Sequence, residues 1–390
     1  MQNLEENLLT QSDRFLTVRG KRFHYIWLYD HCLCPKCHHP SSFQKIQDLS
    51  DAVELPKPKS AKLHDETLII DWEENPPHRS IFPVSWLLNR AYDPQPEPRL
   101  APREKVLWDP AMLESNPPEW CDYKPDCFEP WMNQLSTLGF TRLRKMPWEK
   151  LNGFMSSIGP TYYLGQNGPY CTVKATPKDG DKSLSPEGQD LSFFANGLSP
   201  HTDITYLPTP QIVQLLYCVE NEASGGESIV IDGFRVAEDF RRDYPRYFDI
   251  LTRTPVTFSQ FYQSWHYYVS QTTPILQVKD TGEVAKIFFC HKNLDLDLPF
   301  EQVESFYEAY STFFRYLKNP AYEYSFRMRP GDCLLVQNFR ILHGRKAFDR
   351  GSGSRHLEVS YMDWNYFAGR RDFYAVEFLY KSIGGFCDNG

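Results

Sequence analysis

Three side chains with metal-binding chemistry recur at suggestive spacing in this 390-residue sequence. They are His201 and Asp203, in Pro200-His201-Thr202-Asp203, and His343, in Leu342-His343-Gly344-Arg345. On a strand, residues two apart point to one face, so His201 and Asp203 can turn together toward one ion. They need a third ligand, and His343 supplies it. Two imidazoles and one carboxylate on one face of an octahedron leave three positions open, which suits an iron(II) that binds a cosubstrate and O2 together. Arg355 lies in the apolar run Ser354-Arg355-His356-Leu357-Glu358-Val359. A strand arginine there needs an anion, and its planar fork suits the far carboxyl group of a dicarboxylate. Ser228 offers a hydroxyl that could assist. The plainer readings are a surface turn for His201 and Asp203, an ion pair of Arg355 with Glu358 or Asp363, and an ordinary strand hydroxyl for Ser228.

A second cluster stands near the start of the chain, where Cys32, Cys34 and Cys37 fall within six residues. Three thiolates so close repel one another unless a soft cation holds them, and Cys-x-Cys-x-x-Cys needs one more nitrogen or sulfur to close a tetrahedron. His78 is the choice over His38 and His39, because a distant ligand ties the cysteine knuckle back to the strand Thr67 to Trp72. Four protein ligands leave no open position, so this zinc would be structural.

Around these sites the composition bounds the rest. A net charge of −8, a pI near 5.8 and scattered basic residues argue against a nucleic-acid face and for a small-molecule substrate. No apolar run approaches the ~20 residues of a membrane span. The start, MQNLEENLLTQSD, is acidic and polar, unlike a signal for export. The other seven cysteines are spread, several in apolar stretches, which predicts reduced thiols and a cytoplasmic location.

The elements that must position these residues follow from periodicity and breakers. Short strands are expected at 15–18 and 23–28, and a small N-terminal zinc-binding β domain over 1–95. A proline-rich linker follows over 96–125. The remainder, 126–390, reads as a mostly β catalytic domain with helices, a double-stranded β-helix or jelly roll. Helices are expected at 131–138, 148–158 and 300–317, and over 234–251 with a break at Pro245. Strands are expected at 140–143, 212–218, 228–232, 333–337 and 356–364, and a hairpin at 274–290. The polar stretch 177–189 is a candidate lid.

The order HxD, GGES, NxRxLHGR and SRHLExxYxDW resembles the gamma-butyrobetaine and trimethyllysine dioxygenases of the taurine-dioxygenase-like superfamily. The CxCxxC with a downstream histidine is similar to that subgroup's zinc domain. The resemblance implies that His201, Asp203 and His343 bind Fe(II), and that Arg355 with Ser228 binds 2-oxoglutarate. It also implies that Cys32, Cys34, Cys37 and His78 bind zinc. The implied reaction decarboxylates 2-oxoglutarate to succinate and CO2 while O2 hydroxylates an unactivated C–H. A homodimer is implied as well.

The betaine branch holds a trimethylammonium against aromatic faces. Tyr361 matches the cage position in YxDW, and Tyr170, Phe193 and Phe194 fall where other cage rings are expected. Three departures point elsewhere. Ile204 follows the metal aspartate where the betaine hydroxylases tend to carry tyrosine. Asp190 stands near an asparagine position, and Phe289-Cys290-His291-Lys292 replaces an asparagine-rich segment. Three readings result: a hydroxylase of a betaine or trimethylated amine, a tailoring oxygenase of the same fold acting on another acid or natural product, and a non-catalytic zinc-held scaffold.

Overall fold

The computed structural model describes residues 8–387, apart from 40, 43, 52–54, 96–103, 163–169, 176–194, 209–210 and 263–265. It contains two compact units, Met1–Pro102 with Arg371–Gly390, and Arg103–Arg370.

The first unit holds two three-stranded antiparallel sheets. One is Leu9–Gln11, Phe15–Val18 and Lys21–His24, and the other Pro58–His64, Thr67–Trp72 and Arg79–Pro83. Alternate residues Leu16, Val18, Leu68, Ile70, Trp72 and Phe82 turn inward to one core. The expected strand over 23–28 stops at His24, and Tyr25–Asp30 is a short helix. Helical spacing wins because Tyr25 and Leu28 then bury together and Trp27 stacks on His31 at 4.1 Å.

The second unit is built on two facing sheets. The larger has six strands in the order Cys121–Asp122, Phe140–Arg144, Cys333–Gln337, Ile212–Asn221, Arg355–Asp363 and Cys171–Ala175. The smaller runs Leu198–His201, Ile341–Arg345, Ser228–Asp232 and Tyr324–Phe326. Their inner faces share a core of Cys218, Leu334, Val336 and Leu357 with Val230 and Ile341. The outer face of the large sheet packs on the helices Glu129–Leu138 and Trp148–Ile158. The outer face of the small sheet, through Ile229, Ile231 and Leu342, packs on Gly233–Asp243, Pro245–Arg253 and Phe300–Leu317. Pro245 begins the second of these three helices, where its missing N–H costs nothing.

Residues 103–125, expected within a linker, belong to the second unit. Trp108 is 1% exposed; its backbone N–H donates to Asp232 Oδ2 and its indole to the Leu138 carbonyl. The proline-rich signal marked irregular backbone there, and irregular backbone can still be buried when side chains take up its polar groups. Arg340, fully buried, joins this anchor. It pairs with both oxygens of Asp232 at 3.0 and 2.7 Å and donates to the carbonyls of Thr137 and Val106. The strand that carries His343 is thereby fixed at its start. The candidate lid over 177–189 lies outside the described residues.

Candidate metal centres and cosubstrate site

His201 ends the first strand of the small sheet and lies directly opposite His343 in the antiparallel register. The two imidazoles are 4.4 Å apart between ring centres. Asp203 does not continue the strand, contrary to the expected alternation. The strand stops at His201, and Asp203 lies in the bend that follows. Ile204 then takes φ +58°, a left-handed conformation that strains a β-branched residue.

Groups just beyond the ends of two other strands hold this bend. Asp203 N–H donates to Asn338 Oδ1, and Asn338 Nδ2 donates back to the Asp203 carbonyl, both at 2.8 Å. Thr202 N–H donates to the Phe289 carbonyl, and Phe289 N–H to the Thr202 hydroxyl. Asp203 Oδ1 thus comes to 3.2 Å from His201 Nε2, and Oδ2 to 3.4 Å from His343 Nε2. One ligand atom from each of the three lies within 4.8 Å of the others.

Burial alone would push the Asp203 carboxyl up, but the imidazoles of His343 and His201 hold it well below the usual carboxylate range. Burial, then the neighbouring His343, pushes His201 below its ordinary value. An anionic carboxylate beside a neutral imidazole is the protonation state that a divalent metal requires. Two imidazoles with one carboxylate, nearly closed to solvent, fit iron(II) by donor chemistry.

Arg355 projects from the large sheet on the same face as Leu357, Val359 and Tyr361, into the space between the sheets. It is 4% exposed, and burial lowers its pKa to about 10. Its Nε has no hydrogen-bond partner, and no carboxylate pairs with it among the described residues. The ion pair with Glu358 is absent because Glu358 points to the opposite face, where it binds His356 at 2.7 Å and the Thr172 hydroxyl. A desolvated guanidinium with no counter-ion among the described residues fits the far carboxylate of 2-oxoglutarate. Gly226 lies beside Arg355, and its left-handed backbone at φ +73° is what favours glycine there. Ser228 is buried on the small sheet, in register with Arg345.

The substrate residues divide. Tyr361 is buried, and its hydroxyl donates to Asp203 Oδ2 at 2.6 Å, so it touches the metal carboxylate. Ile204 packs beside it with Ile212 and Val359. Tyr170 faces away: it joins the helices behind the large sheet, stacks near Trp148 and donates to Asn152. Asp190, Phe193 and Phe194 lie outside the described residues. A small cleft beside Asp203 is lined by Thr202, Ile204, Ile212, Lys286, Phe288 and Asn338, among others.

Three contributors had no role assigned from the sequence. Asn338 was visible only as the first letter of NxRxLHGR. Gln214 donates to Asp203 Oδ2 at 2.5 Å and lies 3.1 Å from His343 Nε2. Its signal was there, a lone amide in the apolar run Ile212 to Cys218. Arg345 is a second buried guanidinium, pushed down to about 9 by burial and then by the charge of Arg355.

In the first unit, His78 Nε2 lies 3.1, 3.6 and 3.3 Å from the sulfurs of Cys32, Cys34 and Cys37. His38 is turned elsewhere, its Nδ1 against the Cys32 carbonyl. The other nitrogen of His78 meets Glu74 at 2.7 Å, the carboxylate support usual for a metal-bound imidazole. This Cys3His set fits a closed tetrahedral zinc.

A His-Asp-His set with its histidines on paired strands and its aspartate in the bend that follows, together with a buried arginine that has no carboxylate partner among the described residues, defines a mononuclear non-haem iron oxygenase. The model of the taurine catabolism dioxygenase TauD, TfdA family matches residues 108–361, and the chain belongs to that family. It is thus an Fe(II)- and 2-oxoglutarate-dependent dioxygenase that uses O2. It is similar to human gamma-butyrobetaine dioxygenase, 27% identical over 87% of this chain and 88% of that one. Rat mitochondrial trimethyllysine dioxygenase is 25% identical over 87% of this chain and 80% of its own. Among solved structures, a taurine dioxygenase from Burkholderia xenovorans superposes with TM-score 0.45 at 15% identity, covering 62% of this chain and 82% of that one.

Proposed function

We propose that this protein hydroxylates an unactivated C–H of a small betaine or trimethylammonium-type substrate, with release of succinate and CO2. The observation that carries the reading is the clustered triad of His201, Asp203 and His343 together with a buried Arg355 that has no carboxylate partner among the described residues. Iron bound there supplies oxidation by O2 coupled to decarboxylation of 2-oxoglutarate. In this reading His201, Asp203 and His343 hold Fe(II), and Arg355, assisted by Ser228, fixes the far carboxylate of the cosubstrate. The closed interior around Ile204, Val359 and Tyr361 excludes water from the reacting carbon. Cys32, Cys34, Cys37 and His78 hold a structural zinc. The test is substrate-dependent succinate formation across a panel of trimethylated amines and acids. Turnover of none of the quaternary compounds would sink the betaine reading.

The second reading is a tailoring oxygenase acting on a different small acid or natural product, by hydroxylation, desaturation or rearrangement. It is favoured by Ile204 beside the metal carboxylate, by Lys286 in the adjacent cleft and by Tyr170, which faces away from the site. The same panel, extended to carboxylic acids without a quaternary nitrogen, separates the two. The proposal also takes in a homodimer and a cytoplasmic location. Light scattering and cell fractionation test these, with the mitochondrion of the trimethyllysine dioxygenases as the competing compartment.

A further inference from the structure

The two carboxylate oxygens of Asp203 have different surroundings. Oδ2 accepts hydrogen bonds from Gln214 Nε2 at 2.5 Å and from the Tyr361 hydroxyl at 2.6 Å, and lies farther, 3.4 Å, from His343 Nε2. Both donors stand on the large sheet, Gln214 directly opposite Tyr361 in the register, and both are buried. Oδ1 meets only His201 Nε2 among the described residues, at 3.2 Å. An ionised carboxylate is acceptor-only, which fixes the Gln214 amide with its nitrogen toward Asp203 and leaves Gln214 Oε1 without a partner. An oxygen that already accepts two hydrogen bonds has used its share of the roughly four lone-pair sites of a carboxylate.

We propose that Gln214 and Tyr361 are positioning residues that restrict Asp203 to ligation through Oδ1 alone. The inference rests on the iron and 2-oxoglutarate reading above. If both oxygens of Asp203 bound the metal, a fourth octahedral position would be filled and two would remain. A 2-oxo acid, with its carboxylate and keto oxygens adjacent, takes two positions as a chelate. The third must stay available for O2. Occupying Oδ2 with two protein donors therefore preserves room for both reactants.

The test uses the full-length protein, with Tyr361→Phe, Gln214→Leu and the double variant compared with the parent. Co(II)-loaded samples are followed by visible d–d absorption and calorimetry. Fe(II)-loaded samples are titrated with 2-oxoglutarate without oxygen, following the visible charge-transfer band. The double variant is expected to bind Co(II) as tightly as the parent or more so, with a changed d–d spectrum, and to need on the order of tenfold more 2-oxoglutarate. Tyr361→Phe, which removes one oxygen atom and keeps the ring, should shift both readouts in the same direction by less, and thermal melting checks its fold. An unchanged Co(II) spectrum with an unchanged titration overturns the proposal. Loss of metal binding in folded variants overturns it too, because the pair would then be creating the ligand rather than limiting it. A parent that shows no charge-transfer band overturns the iron and 2-oxoglutarate reading itself, so the two failures are distinguishable.

Discussion

Asn338 and Asp203 hold each other by a reciprocal pair of 2.8 Å hydrogen bonds, side-chain amide to main chain in both directions. The pair compensates for the end of the strand at His201 and for the left-handed Ile204 that follows Asp203. Asn338→Ala removes both bonds without replacing a candidate ligand. Metal affinity, measured by Co(II) calorimetry, should fall by about 10–100-fold while the melting curve stays cooperative. Parent-like affinity in the folded variant would show that the bend holds itself.

Arg355→Ala should raise the 2-oxoglutarate requirement by at least about thirtyfold, the scale expected for truncating one partner of a buried charge pair. Iron binding should be nearly unchanged, since Arg355 touches none of the three candidate iron ligands. The measurements are the KM for 2-oxoglutarate and metal content. Loss of iron with unaltered KM would make the arginine a structural element.

Elemental analysis should find one zinc per chain, and Cys34→Ala should lower folded yield by removing it. Glu74→Gln is the finer probe, because it weakens the support of His78 Nδ1 while its amide oxygen can still accept from the Tyr29 hydroxyl. Zinc affinity should drop by about 10–100-fold in competition with a chromogenic chelator. Full zinc retention in Cys34→Ala would reject the tetrahedral set.

The pH dependence of iron-site loading follows from His201. A proton competes with a metal for Nε2 only below the imidazole pKa, and burial places that pKa under the ordinary 6.5. Asp203, held well below its usual range, stays anionic throughout. Co(II) affinity should therefore persist as pH falls through 6.5 and decline only below it. A decline already centred at 6.5 or higher would show that His201 does not set the pH limit of metal loading.

Much of this was legible from period and punctuation. Helices 148–158 and 300–317 and strands 228–232 and 333–337 stand where apolar spacing placed them. So does the pairing of distant residues, because CxCxxC and HxD each lacked a ligand and only certain histidines could complete them. What could not be read was where alternation ends. The sequence around Asp203 looks like continuing strand, yet Asn338, more than a hundred residues away, decides the bend. Tyr170 was equally opaque, since facing the pocket or the helices behind the sheet depends on strand register, and a one-residue slip exchanges the faces. Residues 103–125 misled for a different reason: prolines report backbone shape, not exposure, and the anchor Arg340–Asp232 that buries this segment is tertiary.

Arg355 also bears on the energetics of the whole fold. A guanidinium sealed between two sheets with no carboxylate partner among the described residues is a charge for which folding provides no counterpart. If 2-oxoglutarate seats its far carboxylate on Arg355, as proposed, it acts as a missing residue of the interior. By mass action it should favour the native state by about 2.7 kcal/mol at a hundred times its dissociation constant. The thermal midpoint of this enzyme would then rise with the concentration of 2-oxoglutarate.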